Sequence, residues 1–297
     1  MAEDRKLILA GTMGFCGGVR AALATLDKLV KEHKNVPVCV LHELVHNRHV
    51  NEAFARRGVR FLKDLDELPP GAVLLLGAHG VPPETERRAR TLASLVVDTT
   101  CPLVKARQLG AAKLTADDTM VLIGHPRHPE VLGIIGWSGA GKNIVVSSAD
   151  EAEHVELAAV SALLAQTTFD AFELARCREV LERRFPGLSF LWGVCRASQE
   201  RQDDVARLAR EVEVMIVAGS PHSSNARRLC ETAERWGARG ILVESAAELP
   251  PWAFGMRRVG LTSGASTPDE DVDEMSAAFS AAGFEVEKQV PENRSND

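Results

Sequence analysis

Cys16, Cys101 and Cys195 divide this chain of 297 residues into near-equal thirds, and each thiol opens a segment built on one plan. A stretch with helical spacing comes first, then an apolar run ending in polar side chains, and later a second such run. In the first third the runs are Val38–Leu41, leading to His42 and His46, and Ala72–Leu76, leading to His79. In the second they are Met120–Ile123, leading to His125 and His128, and Ser161–Ala165, leading to Thr167 and Thr168. In the third they are Val214–Val217, leading to Ser223, Ser224 and Asn225, and Arg258–Leu261, leading to Ser263 and Ser266. Length alone suggests two domains, whereas a threefold internal repeat predicts three similar units. Three equivalent thiols ringed by His, Ser, Thr and Asn suit an iron–sulfur cluster facing an anionic ligand.

The repeats are placed at 16–101, 102–194 and 195–290. The N-terminal strand 5–11 is expected to pack on the third, and 291–297 to form a loose polar tail. Helical spacing marks Val19–Glu32, Glu84–Leu92, Leu103–Leu114, Ala149–Glu156, Ala171–Arg184, Glu200–Arg210, Asn225–Trp236 and Asp269–Ala282. Alternation of these with the apolar runs predicts an α/β fold of three small parallel sheets, each buried by helices on both faces. Ligands of such sheets sit beyond the carboxyl ends of the strands, where the polar groups fall.

A net charge of −6 without any Lys/Arg run argues against nucleic acid as a partner, and the absence of Tyr removes stacking platforms. The apolar run Leu7–Ala10 is too short for a signal peptide or a membrane span, which makes the cytoplasm the expected location. The six cysteines include no C-x-x-C pair and read as thiols or metal ligands rather than disulfides. Gly136 to Lys142 fits the spacing of a phosphate-binding P-loop. However, Asn143 stands where that loop needs Ser or Thr, a helical segment precedes it, and Ile144–Val146 reads as a strand. A glycine-rich turn from helix to strand is the better reading.

Cys39, Cys177 and Cys230 lie in apolar patterns and are expected in the core. Cys16, Cys101 and Cys195 sit instead at Gly- or Pro-marked junctions, where a helix N-terminus favours thiolate. Zinc is the competing metal, but structural zinc sites draw paired ligands from short knuckles. A four-iron cluster on three thiolates keeps one iron open for substrate. His33, His49 and His154 read as surface or satisfied residues, whereas His46, His79 and His128 follow apolar runs in tight polar loops. With Ser223, Ser224 and Asn225 they make an anion site of phosphate type. The serine run alone fits a plain helix cap equally well; within the repeat, the anion site prevails. Glu130 is the single carboxylate beside these donors and is the natural proton donor.

Eight motifs in order resemble the 4-hydroxy-3-methylbut-2-enyl diphosphate reductases, last enzymes of the non-mevalonate isoprenoid route, from about Leu7 to Ala282. They are Gly14-Phe-Cys16, His42-Glu-Leu-Val-His46-Asn47, Ala78-His79-Gly80-Val81, Thr100-Cys101-Pro102-Leu-Val104, His128-Pro-Glu130-Val131, Gln166-Thr167-Thr168, Ser223-Ser-Asn225 and Gly264-Ala-Ser266-Thr-Pro268. The resemblance implies a pseudo-threefold trefoil of α/β domains around a 4Fe–4S cluster held by Cys16, Cys101 and Cys195. It places the diphosphate on His46, His79, His128, Ser223, Ser224, Asn225 and Ser266, with Thr168 counted among the substrate-binding positions. It makes Glu130, working with Thr167, the source of the proton that lets the hydroxyl leave as water. A reduced ferredoxin or flavodoxin would bring two electrons, and the products would be isopentenyl and dimethylallyl diphosphate.

The chain departs from the family pattern at Met13, at Arg20 and Ala21, at Arg196 and at His222. Of these, Arg196 is expected to bring a charge close to the cluster ligand Cys195. Two other readings stand beside the family reaction: a diverged paralogue that dehydroxylates another substrate, and a non-catalytic iron–sulfur sensor of a diphosphate metabolite.

Overall fold

The computed structural model describes residues 5–289, so the expected tail at 291–297 lies outside the described residues. From the start of the described chain, β1 (Lys6–Leu9) runs into the Cys16 loop. Then come α1 (Gly17–Glu32), β2 (Val38–Leu41), α2 (Arg48–Arg56), β3 (Arg60–Leu62), β4 (Val73–Leu76), α3 (Pro83–Leu92) and β5 (Leu95–Asp98). The middle of the chain forms α4 (Pro102–Ala111), β6 (Thr119–Ile123), α5 (Pro129–Trp137), β7 (Lys142–Val146), α6 (Ala149–Glu153), β8 (Ala162–Ala165), α7 (Ala171–Arg184) and β9 (Ser189–Trp192). The last part forms α8 (Arg196–Leu208), β10 (Val214–Ala218), α9 (Ser224–Arg235), β11 (Arg239–Val243), β12 (Arg258–Ser263), α10 (Asp269–Ala281) and β13 (Glu285–Lys288).

These strands make three small sheets with helices around them, as the alternating pattern predicted. Their orders are β3-β2-β4-β5, β7-β6-β8-β9 and β11-β10-β12-β1-β13, and every pairing is parallel. The third order repeats the first two once β1 is read in the place of β5 and β9. The chain's first strand therefore completes the sheet built by its last third, inserted between β12 and β13. As a result each thiol follows the strand beside the second apolar run of a sheet: Cys101 after β5, Cys195 after β9 and Cys16 after β1.

Burial follows the two-residue period of a strand. Met120 and Leu122 of β6 join one apolar cluster with Ala111, Val131 and Ile134, while Val121 and Ile123 join another with Phe169, Cys177 and Leu181. In β10, Val214, Ile216 and Ala218 face one cluster, and Met215 and Val217 the opposite one. Both faces are apolar, so these strands read as unbroken hydrophobic runs. Each fully buried Leu or Ile contributes about 1.5–3 kcal/mol. The strands β5, β9 and β13 are partly exposed and carry charged or polar residues, so sequence reasoning did not single them out. Helix α2 escaped notice as well, because Phe54 is the residue it buries.

The turn after α5 behaves as the sequence suggested. A side chain at Gly139 would place its Cβ 2.0 Å from the Leu114 carbonyl oxygen, and one at Gly141 would meet that of Ala116 at 2.1 Å. Close backbone packing, not a phosphate, accounts for these glycines. By contact density the chain divides into two compact units. One comprises Met1–Cys16, His46–Arg48 and Arg196–Asp297, in its described part; the other comprises Gly17–Val45 and His49–Cys195. Among the described residues, no helix is long and apolar enough to cross a membrane.

Candidate active site

The three thiols are anchored alike. The Cys101 amide donates to the Ala78 carbonyl at 2.9 Å, that of Cys195 to Thr167 at 2.9 Å, and that of Cys16 to Ala265 at 3.1 Å. The residue after each acceptor is a predicted ligand-binding side chain: His79, Thr168 and Ser266. A helix starts on the residue after each thiol, which puts positive helix ends beside all three sulfurs. All three are partly exposed and unbridged, whereas Cys39 and Cys177 are fully buried. Burial pushes the Cys39 thiol up, and burial with nearby glutamates pushes Cys177 and Cys230 up to about 12. Cys39 and Cys177 are therefore core thiols, whereas Cys230, expected in the core, is half-buried against an apolar cluster. A Cβ at Gly18 would stand 3.0 Å from the Cys101 sulfur, so the glycine keeps that thiol uncrowded. A soft thiol donor at a helix start is of the kind that an iron–sulfur cluster takes.

The unit containing Gly17–Val45 and His49–Cys195 brings together Cys101, Cys195, His79, His128, Glu130, Gln166, Thr167 and Thr168. Glu130, in the first turn of α5, is completely buried. The Thr167 amide donates to its Oε1 at 2.7 Å and the Thr167 hydroxyl to its Oε2 at 2.6 Å. Burial pushes this carboxyl above its ordinary value, and the two Thr167 bonds and Arg107 only partly oppose the rise. His128 caps α5 and accepts the Glu130 amide on Nδ1 at 3.2 Å, which makes Nε2 the donor nitrogen of the neutral ring. Its ring meets that of His79 edge to face, with centroids 5.4 Å apart. Buried Gln166 accepts the His125 amide at 3.0 Å and donates to the Thr168 hydroxyl at 2.9 Å, so that hydroxyl keeps its own hydrogen to give.

One residue missed in the sequence lies beside this cluster. Gln108 of α4 is completely buried, and both ends of its amide lack any hydrogen-bond partner. It presses on Gly80, the neighbour of His79, where a Cβ would stand 2.4 Å from its Nε2, and Gly80 holds φ +70. A helix-spaced Gln in an otherwise apolar position was the signal available.

The other unit carries Cys16, His46, Ser223, Ser224, Asn225 and Ser266. Ser223 is the cap of α9, its hydroxyl accepting the Ala226 amide at 3.3 Å. The capping role that the sequence reading set aside is therefore real, and it leaves the hydroxyl hydrogen available as a donor. Asn225 is 4% exposed, and neither end of its amide is hydrogen-bonded. Unsatisfied buried amides are rare, and one at a helix start marks a place for a polar ligand. Ser263 is occupied structurally, accepting the Gly14 amide at 2.7 Å.

The expectation for Arg196 is corrected. Its side chain is 81% exposed and pairs with Glu200, one helical turn on, at 2.7 Å, so its charge faces solvent. Met13 packs into the apolar clusters flanking the five-stranded sheet, while Arg20 and His222 are exposed.

Residues 7–280 match the family model described as LytB protein. The chain is 40% identical over 278 residues to a 4-hydroxy-3-methylbut-2-enyl diphosphate reductase of Desulfotalea psychrophila, covering 91% of this chain and 88% of that one. It is 39% identical over 284 residues to one of Burkholderia pseudomallei, covering 94% and 90%. Among solved structures, the E-1-hydroxy-2-methyl-but-2-enyl-4-diphosphate reductase of Plasmodium falciparum shares the fold, with a TM-score of 0.91, 24% identity and coverage of 98% and 94%. A second, titled as the terminal enzyme of the non-mevalonate pathway, superposes with a TM-score of 0.64 at 31% identity, covering 93% of this chain and 99% of that one.

Proposed function

The chain belongs to the LytB protein family, and on that premise we propose that it is a 4-hydroxy-3-methylbut-2-enyl diphosphate reductase. The reaction is a reductive dehydroxylation that consumes two electrons and two protons, one leaving with the hydroxyl as water and one added to carbon, and yields isopentenyl and dimethylallyl diphosphate. Cys16, Cys101 and Cys195 hold a 4Fe–4S cluster, which when bound supplies the electrons. The electrons would come from a reduced ferredoxin or flavodoxin, and the enzyme works in the cytoplasm. The repeats at 16–101, 102–194 and 195–290 are the proposed domains.

His46, His79, His128, Thr168, Ser223, Ser224, Asn225 and Ser266 bind the diphosphate through N–H and O–H donors, strengthened by helix N-termini. Glu130 delivers the proton that turns the departing hydroxyl into water. Thr167 fixes the carboxyl by gripping both oxygens, and burial favours its protonated form. The observation that carries this reading is that buried, Thr167-bound carboxyl in a chain with this family match.

The test is turnover by anaerobically prepared protein, reconstituted with iron and sulfide, with a viologen-type reductant. Release of both five-carbon diphosphates is the expected result. A colourless protein holding one zinc, or a brown one that leaves the allylic alcohol untouched, would overturn the proposal.

A further inference from the structure

Two buried arginines stand at matching places in the repeats. Arg107 lies six residues after Cys101 and Arg201 six residues after Cys195, and they are 3% and 2% exposed. Both bend back on their own helix: Arg107 Nη1 donates to the Leu103 carbonyl at 2.5 Å, and Arg201 Nη1 to that of Ala197 at 2.9 Å. Both then reach forward to a carbonyl two residues before another thiol. Arg107 Nη2 donates to Gly193, and Arg201 Nη2 to Gly14 at 2.6 Å. Arg107 Nε further grips the Ala165 carbonyl at 3.0 Å, at the strand end that leads to Thr167. The corresponding position after Cys16 is Ala22, and there the Cys101 loop is held differently: Thr99 donates to the Leu76 carbonyl by both its amide and its hydroxyl.

A buried guanidinium bound to neutral carbonyls is costly unless negative charge lies near it. The groups beside Arg107 able to carry such charge are Glu130, Cys195 and Cys101. Of these, Cys101 and Cys195 are the thiols that the iron–sulfur reading assigns to the cluster. We infer that Arg107 and Arg201 are paired positioning residues, each fixing the loop of the next thiol in the chain's cyclic order, and that Arg107 also holds a positive charge against the cluster. The charge role rests on the iron–sulfur reading above; the positioning role does not.

Hydrogen exchange on the full-length protein without cluster tests the positioning. Arg107→Met should speed exchange around Gly193–Cys195 about tenfold to a hundredfold, the worth of a charge-assisted hydrogen bond, and leave Gly14–Cys16 unchanged. Arg201→Met should do the reverse. Unchanged or interchanged patterns would overturn the role. If a Met variant unfolds, Arg107→Lys and Arg201→Lys decide by the same loop-specific pattern, since lysine keeps the stem and charge but not the two-carbonyl fork. Midpoint potential, followed by electron paramagnetic resonance on reconstituted protein, tests the charge. It should fall in Arg107→Met, because the reduced cluster is the more negative form, and recover in Arg107→Lys. Equal potentials in all three proteins would overturn it. A wild type that takes up no cluster would sink the iron–sulfur reading and the charge role together, while the exchange pattern still decides the positioning.

Discussion

At the scale of single residues, Glu130 sets the pH behaviour. A carboxyl whose value is raised by burial is proton-richer in the folded than in the unfolded chain between the ordinary and the raised value. Folding stability therefore falls as pH climbs through that window, and so does any activity that needs the acid form. Glu130→Gln removes both slopes. It should keep the fold and lose roughly 10²–10⁴ in turnover, and its melting temperature should gain on wild type as pH rises through that window. A variant that still releases product near the wild-type rate excludes Glu130 as the proton source. The cysteines give a second residue-level prediction. Ser at Cys16, Cys101 or Cys195 should abolish brown colour, since an alkoxide is a poor ligand for this iron, whereas Ala at Cys39, Cys177 or Cys230 should not. In the protein without cluster, Cys177 and Cys230 should resist alkylation at pH 8, their thiols being pushed to about 12. Rapid labelling of either would contradict the raised value of its thiol.

At the scale of elements, the start of α9 holds two neighbouring polar residues with opposite expected effects. Ser223 closes the helix with a hydrogen bond, so Ser223→Ala should cost about 1 kcal/mol in denaturant unfolding. Asn225 makes no hydrogen bond in the described structure, so Asn225→Ala should leave the ligand-free protein as stable as before. It should nevertheless weaken inorganic diphosphate binding, read by calorimetry, by about 1.5–3 kcal/mol. Equal losses of stability in both variants would mean that Asn225 is structural. This helix start also shows why the sequence could not rank the two roles. A Ser-Ser-Asn run is both a good cap and a good anion site, and the choice depends on which hydroxyl turns back to the helix.

At the scale of the whole molecule, β1 is the strand on which the third sheet depends, being paired along one edge to β12 and along the other to β13. Ile8→Pro removes an amide from a strand paired on both sides, an unsatisfied ladder worth about 1–3 kcal/mol. Exchange should quicken in Arg258–Ser263 and Glu285–Lys288 while β2, β4, β6 and β8 keep their protection. Unaltered exchange in β13 would show that β1 does not hold it. The sequence by itself determined the repeat, the parallel α/β class and the placement of the thiols, because strands buried on both faces must be unbroken apolar runs and Val73–Leu76, Val121–Ile123 and Val214–Ala218 can be little else. It also separated core cysteines from junction cysteines by their neighbours. Tertiary structure alone decided that the first strand, expected on the third repeat, lies between β12 and β13, that Arg196 turns to solvent, and that Glu130, Gln108, Arg107 and Arg201 are buried. The physical reason is that strand pairing and side-chain burial depend on segments distant in the chain, which no local pattern encodes.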